Sequence, residues 1–247
     1  MQLLIDFGNT RIKWATEDTG VLQFGAGAVY SEALLEELFE HWWGECSTPD
    51  SIWCASVAPL ACQQRLEHWC RQQWQQPVRF LTAVACQQGV TNAYTEPATL
   101  GSDRWAALLG ARHLVTGSVA VIDCGSAITV DLLDADGVHQ GGYIVPGLWM
   151  MQQCLQERTG RITESPALPG QLTPGDSSVS CISHGALRSV TALLDRLMRD
   201  LPVGHRQLQW LITGGDAPHI QPYLEQACRA VPDLVLQGLV CVAQNND

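Results

Sequence analysis

The sequence predicts an α/β fold made of two similar halves. Three observations carry that prediction. Short apolar runs alternate with longer stretches of helical periodicity along most of the 247 residues. One phrase occurs twice: Ile5-Asp6-Phe7-Gly8-Asn9-Thr10-Arg11-Ile12-Lys13 returns as Ile122-Asp123-Cys124-Gly125-Ser126-Ala127-Ile128-Thr129. Each copy follows an apolar run, which reads as a buried strand, and each glycine permits a tight turn with positive φ. Strand, turn and returning strand are therefore expected twice, one set in each half.

The elements follow in order. Residues 2–16 read as a strand hairpin. Residues 31–43 place Leu34, Leu35, Leu38, Phe39 and Trp42 at helical spacing, with Ser31 as N-cap. A strand is expected at 51–57, a helix at 59–75 and a strand at 78–81. Residues 91–101 are polar, contain Pro97 and read as a loop. A helix starts near Ser102, its expected cap, and runs to about Leu114. Gly117-Ser118 is the expected boundary, giving halves 1–116 and 117–247. The second half repeats the scheme: strands at 119–123 and 130–133, a turn at 134–137, and a loop through Gly141-Gly142-Tyr143-Ile144-Val145-Pro146-Gly147. A helix is expected at 148–158, a surface loop at 159–178 and an amphipathic helix at 184–200. A strand at 208–213 ends in Gly214-Gly215-Asp216, a helix begins near Pro218, and 244–247 form a polar tail.

Composition excludes several classes. Hydrophobic residues make up 46% and charged residues 16%, which suits a globular protein. The formal net charge of −11 argues against a nucleic-acid partner or an anionic membrane surface, both of which need a basic face. The start lacks the basic and apolar regions of a signal peptide, and apolar runs are too short to cross a bilayer, so a cytoplasmic protein is expected. The ten cysteines include no Cys-x-x-Cys pair. Cys62, His68 and Cys70 come nearest to a cluster, and reduced, mostly buried thiols are the plainer reading. Neither a P-loop nor a Gly-x-Ser-x-Gly elbow is present.

The chemistry concentrates in a few segments. Each doubled turn offers backbone N–H groups for phosphate oxygens and a carboxylate for a hydrated Mg²⁺. In the first copy, Asp6, Gly8, Asn9, Thr10 and Lys13 are the candidates, with Lys13 on the returning strand in reach of a phosphate. In the second, Asp123, Gly125, Ser126 and Thr129 are the candidates, the last two donating hydroxyl hydrogen bonds. Leu100-Gly101-Ser102-Asp103-Arg104 puts an acid in the first turn of a helix, beside an arginine suited to a phosphate or carboxylate. An ionised acid there is a weak base, which suffices for phosphoryl transfer because its transition state is loose. The small residues of Thr213-Gly214-Gly215-Asp216, at a strand end, leave room for a flat ligand such as adenine. A plain turn is the alternative at the two doubled turns and at Thr213–Asp216, and a favourable acid in the first turn of a helix is the alternative at Asp103.

Taken in order, these segments resemble the type III pantothenate kinase family of the acetate kinase–sugar kinase–Hsp70–actin superfamily. The matching pieces are Asp6–Lys13, Tyr94 and Pro97 ahead of Leu100–Arg104, Asp123–Thr129, Gly141–Gly147 and Thr213–Asp216. The resemblance implies two actin-like (ribonuclease H-like) halves with a nucleotide cleft between them. It also implies ATP-dependent phosphorylation of pantothenate, the first step of coenzyme A biosynthesis. It assigns Asp6, Gly8, Asn9, Thr10, Lys13 and Ser126 to ATP, and Asp103 to the proton-accepting role. Tyr94, Gly101, Ser102, Asp103, Arg104 and Ser178 are assigned to pantothenate, Asp123 to a monovalent cation, and Asp6 to Mg²⁺ through water. Ser126 and Ser178 stand where the family usually has threonine, which keeps the hydroxyl. The family uses ATP, Mg²⁺ and K⁺ or NH₄⁺, and is typically a homodimer. Two other readings stay open at this point: a different small-molecule kinase of the superfamily, and a non-catalytic regulatory protein with the same fold.

Overall fold

The computed structural model describes residues 1–159, 171–201 and 208–244, and the side chain of Thr159 is not among them. The chain divides into two compact units. The first comprises Met1–Thr116, Gly137–His139 and Asp233–Asp247; the second comprises Gly117–Asp136 and Gln140–Pro232. The halves expected from sequence, 1–116 and 117–247, differ from these units in the placement of 137–139 and 233–247.

The first unit opens with β1 (Gln2–Phe7), β2 (Arg11–Asp18) and β3 (Val21–Val29), followed by a 3₁₀ turn at Glu32–Leu34 and α1 (Leu35–Trp43). It continues through β4 (Ser51–Ser56), α2 (Leu60–Trp74), β5 (Val78–Phe80), the small hairpin β6 (Cys86–Gln87) and β7 (Val90–Thr91), and α3 (Ser102–Leu114). The five-stranded sheet has the order β3-β2-β1-β4-β5. β1 is central because Leu3, Leu4, Ile5 and Phe7 are all buried, as a strand covered on both faces requires. α1 and α2 pack against one face with an aromatic cluster of Phe39, Trp43, Trp69 and Trp74.

In the second unit, β8 (Val119–Cys124), β9 (Ala127–Leu133) and β10 (His139–Pro146) precede α4 (Leu148–Thr159) and α5 (Ser178–Asp200). β11 (Gln209–Thr213), α6 (Ala217–Ile220) and β12 (Arg229–Ala230) complete it. The sheet order is β10-β9-β8-β11-β12, the order of the first unit repeated strand for strand. In both, the central strand pairs antiparallel with the next strand and parallel with the fourth. α5 turns Leu187, Val190, Leu194 and Met198 into the core beside Trp210 and Ile212. The last helix, α7 (Leu234–Ala243), belongs to the first unit and crosses α3. The crossing is close enough that a Cβ on Gly238 would lie 1.8 Å from the Ala106 carbonyl oxygen, so only glycine fits.

Several local expectations are corrected. Residues 139–146 form a strand rather than a loop: β10 is an edge strand, where glycine and proline are tolerated. Ser102 is the first helical residue of α3 and Gly101 the N-cap; the Ser102 hydroxyl instead bonds the backbone of Ser56. Ser31 caps the 3₁₀ turn without a side-chain hydrogen bond. Neither Gly8 nor Gly125 adopts a positive φ. α5 begins at Ser178, before the expected residue 184. Of the expected loop at 159–178, residues 160–170 lie outside the described residues, as do 245–247 of the expected tail. All ten cysteines are free, but Cys46, Cys86, Cys154 and Cys181 are exposed.

Candidate active site

The first turn is held from behind by a tyrosine that motif reading missed. Gly8 N–H donates to the Arg11 carbonyl (2.9 Å), closing the hairpin. The Tyr30 hydroxyl donates to the carbonyls of Gly8 (2.9 Å) and Asn9 (3.1 Å), and its ring stands edge-on to Phe7. Burial, with Cys62 adding to it, pushes the Tyr30 hydroxyl up to about 12, so it stays a donor through the neutral range. Asn9 and Thr10 are exposed at the tip of the turn. A lone tyrosine after an exposed strand gives no sequence signal for this role.

Asp6 is the penultimate residue of β1 and pairs directly with Lys13 across the antiparallel ladder. Directly opposed residues put their side chains on one face, so the lysine reads as the carboxylate's counter-charge. Desolvation nevertheless pushes the Asp6 carboxyl up to about 6; Lys13 pulls it down, and Asp103 pushes it further up. Asp103, from the first turn of α3, therefore shares an electrostatic neighbourhood with Asp6 and Lys13.

α3 is fixed at this end by its own first residue. The Ser102 hydroxyl accepts from Ser56 N–H (2.8 Å) and donates to the Ser56 carbonyl (2.9 Å), tying the helix start to the end of β4. Arg104 N–H donates to Asp103 Oδ1 (2.7 Å). The Arg104 side chain is buried, and its Nη1 donates to the Tyr94 hydroxyl (3.0 Å) with the guanidinium carbon 5.8 Å from the Tyr94 ring centre. The sequence-selected residues Asp6, Lys13, Tyr94, Gly101, Ser102, Asp103 and Arg104 thus fall in one unit, and contacts or electrostatics link most of them.

The second turn has the same frame with different neighbours. Asp123 is penultimate in β8 and pairs with Thr129 on one side and Thr213 on the other. Where Asp6 meets a lysine, Asp123 meets a hydroxyl, an oxygen donor of the kind hard cations take. Two glycine motifs converge here. Gly147 N–H donates to the Ser126 carbonyl (2.9 Å), and Asp216 N–H donates to the Cys124 carbonyl (2.9 Å). Gly214 has φ +94°, and a Cβ there would lie 2.5 Å from Asp123 Oδ1. Burial raises the Cys124 thiol far above its ordinary value, with Asp123 and then Asp216 adding to it, so Asp216 joins this acidic group. Ser178 is exposed at the start of α5, while neighbouring Ser177 and Ser180 are committed to a reciprocal cap. Asp123, Ser126 and Ser178 lie in the second unit. Among the described residues no three His, Cys, Asp or Glu side chains form a metal cage.

A family model described as type III pantothenate kinase matches residues 2–200. A protein named type III pantothenate kinase from Nitrosococcus oceani is 37% identical over 251 residues, covering 99% of this chain and 94% of its own. One of the same name from Halorhodospira halophila is 40% identical over 249 residues, covering 97% and 96%. Among solved structures, a putative Baf family transcriptional activator from Campylobacter jejuni aligns with TM-score 0.60 at 18% identity, over 98% of both chains. A putative 2-dehydro-3-deoxygalactonokinase from Sinorhizobium meliloti gives 0.59 at 12%, over 99% and 98%. MreB5 of Spiroplasma citri bound to ADP gives 0.54 at 10%, over 100% and 98%. At such identities these structures speak for the fold alone, which is the α/β fold of two similar actin-like halves.

Proposed function

The chain belongs to the type III pantothenate kinase family, and we infer that it phosphorylates pantothenate with ATP to give 4′-phosphopantothenate, the first step of coenzyme A biosynthesis. The observation that carries this reading is the grouping of Asp6, Lys13 and Asp103 at the start of α3, beside the Arg104–Tyr94 pair.

The primary hydroxyl of pantothenate attacks the γ-phosphorus of ATP. The bond from that phosphorus to the bridging oxygen breaks, ADP leaves, and the hydroxyl proton passes to Asp103. The transition state is loose, so a carboxylate that orients the hydroxyl and accepts its proton late is base enough. Arg104 binds the pantothenate carboxylate through its guanidinium, whose Nη1 also donates to the Tyr94 hydroxyl. Gly101, Ser102 and Ser178 complete the acceptor contacts. Gly8, Asn9, Thr10 and Lys13 of the first turn, with Ser126 of the second, bind the ATP phosphates, and Lys13 stabilises charge on the transferred group.

Two cations fit the residues present. Burial raises the Asp6 carboxyl despite Lys13, which supports a second positive charge held there through water. Mg²⁺ there supplies charge neutralisation on the phosphates. Asp123, flanked by Thr129 and Thr213, suits a K⁺ or NH₄⁺ ion bound by oxygens. Tyr143, Ile144, Trp149, Met150 and Leu155 of the second unit are exposed apolar residues, which supports a homodimer. A cytoplasmic enzyme is in keeping with the absence, among the described residues, of a helix long and apolar enough to cross a membrane. ADP release against a panel of hydroxyl acids and sugars, with and without K⁺, tests the reading. Release that depends on pantothenate and K⁺ is expected; release with a sugar and none with pantothenate would replace the substrate.

A further inference from the structure

We propose that His139 is a positioning residue for the acceptor substrate, holding the Tyr94 ring and through it the Arg104 guanidinium. The inference rests on the assignment of Tyr94 and Arg104 to pantothenate.

Tyr94 lies in the polar stretch between β7 and α3, where no regular element fixes its side chain. Its backbone N–H donates to Asn92 Oδ1 (2.9 Å), which sets the start of the side chain but not its ring. The ring is set by its neighbours. His139 is 1% exposed and stacks on Tyr94, with centroids 6.1 Å apart and planes inclined by 20°. Arg104 takes the Tyr94 hydroxyl as acceptor. Histidine, tyrosine and guanidinium therefore form one chain of contacts. Aromatic pairs of this kind contribute beyond area burial, and the tyrosine hydroxyl in turn fixes one prong of the arginine.

The backbone under His139 is anchored independently. Thr91 N–H donates to the Gly137 carbonyl (2.8 Å), and Thr91 forms a parallel bridge with Val138. Residues 137–139 thereby pack with the first unit although the rest of β10 belongs to the second. The β7 end that precedes Tyr94 and the residues that precede His139 are thus locked to each other, and the two rings meet. A misplaced arginine weakens acceptor binding while leaving the nucleotide turn intact, so the effect belongs in the pantothenate KM.

The test is steady-state kinetics of the full chain with His139→Gln, which keeps volume and polarity but loses the ring, and His139→Phe, which keeps the ring. The Gln variant is expected to raise the pantothenate KM about tenfold, with the ATP KM within about twofold and kcat within about threefold. The Phe variant is expected to stay within about threefold of the unsubstituted chain in all three. An unshifted pantothenate KM in the Gln variant, or equal impairment of both variants, overturns the proposal. Should the Gln variant not fold, the Phe variant decides: a tenfold rise in its pantothenate KM overturns the proposal, and a KM within threefold supports it. An unsubstituted chain that releases no ADP with pantothenate overturns the functional reading and with it this inference, whereas pantothenate turnover with an unshifted KM in the Gln variant overturns this inference alone.

Discussion

Asp6 carries two demands that conflict. Its carboxyl sits where desolvation raises it to about 6, against 3.8 for a free aspartate. The folded chain therefore binds this proton more tightly than the unfolded chain. Stability from this group is fully present below pH 3.8 and is lost as pH rises through about 6. At 1.36 kcal/mol per pKa unit the loss amounts to about 3 kcal/mol. Asp6→Asn removes the titration, so in ligand-free protein its urea midpoint is expected to change less than that of the unsubstituted chain between pH 4 and 7. Equal declines in both would assign the pH dependence to other groups. Asp6 was legible in the sequence because an aspartate two residues before a glycine, after an apolar run, occurs twice. Its partner Lys13 was legible through strand alternation. Tyr30 and His139 were not, because each acts through a contact between segments remote in sequence.

Helices and strands were legible where period and punctuation agreed. α2, α3 and β8 carry apolar spacing or a bounded apolar run and were found within a few residues. β3 was missed because VLQFGAGAV has neither alternation nor β-branched density, and it lies at a sheet edge. α7 was missed because LVLQGLVCVA is a short apolar run in which helix and strand cannot be told apart by period. Its glycine is explained by packing. Gly238→Ala places a methyl group on the Ala106 carbonyl of α3 and is expected to lower unfolding free energy by about 2 kcal/mol, the overpacking outweighing the gain in helix propensity. Gly185→Ala, in the middle of α5 with nothing within 4 Å of the new methyl, is expected to raise it by up to about 1 kcal/mol. Chemical denaturation of both variants measures the contrast, and equal shifts of the same sign would contradict it.

At the scale of the whole chain, the repeated sheet order gives physical meaning to the doubled phrase: each copy ends the central strand of its own unit. The copies differ in the residue opposite the aspartate, lysine at Asp6 and threonine at Asp123, and the proposed division between a phosphate-binding turn and a monovalent-cation turn rests on that difference. The return of residues 233–247 to the first unit was not legible, because packing onto a helix so far back along the chain leaves no local pattern. The homodimer is a claim at this scale too. Sedimentation at micromolar concentration is expected to give twice the chain's mass, with Trp149→Glu shifting it to one; a monomeric unsubstituted chain would end that part of the proposal. Phosphoryl transfer itself is tested most directly by pantothenate-dependent ADP formation in the unsubstituted chain and in Asp103→Asn, with ATP affinity titrated alongside. A fall of about 10²-fold or more in turnover at unchanged ATP affinity is the predicted result. Turnover within threefold of the unsubstituted chain would contradict it.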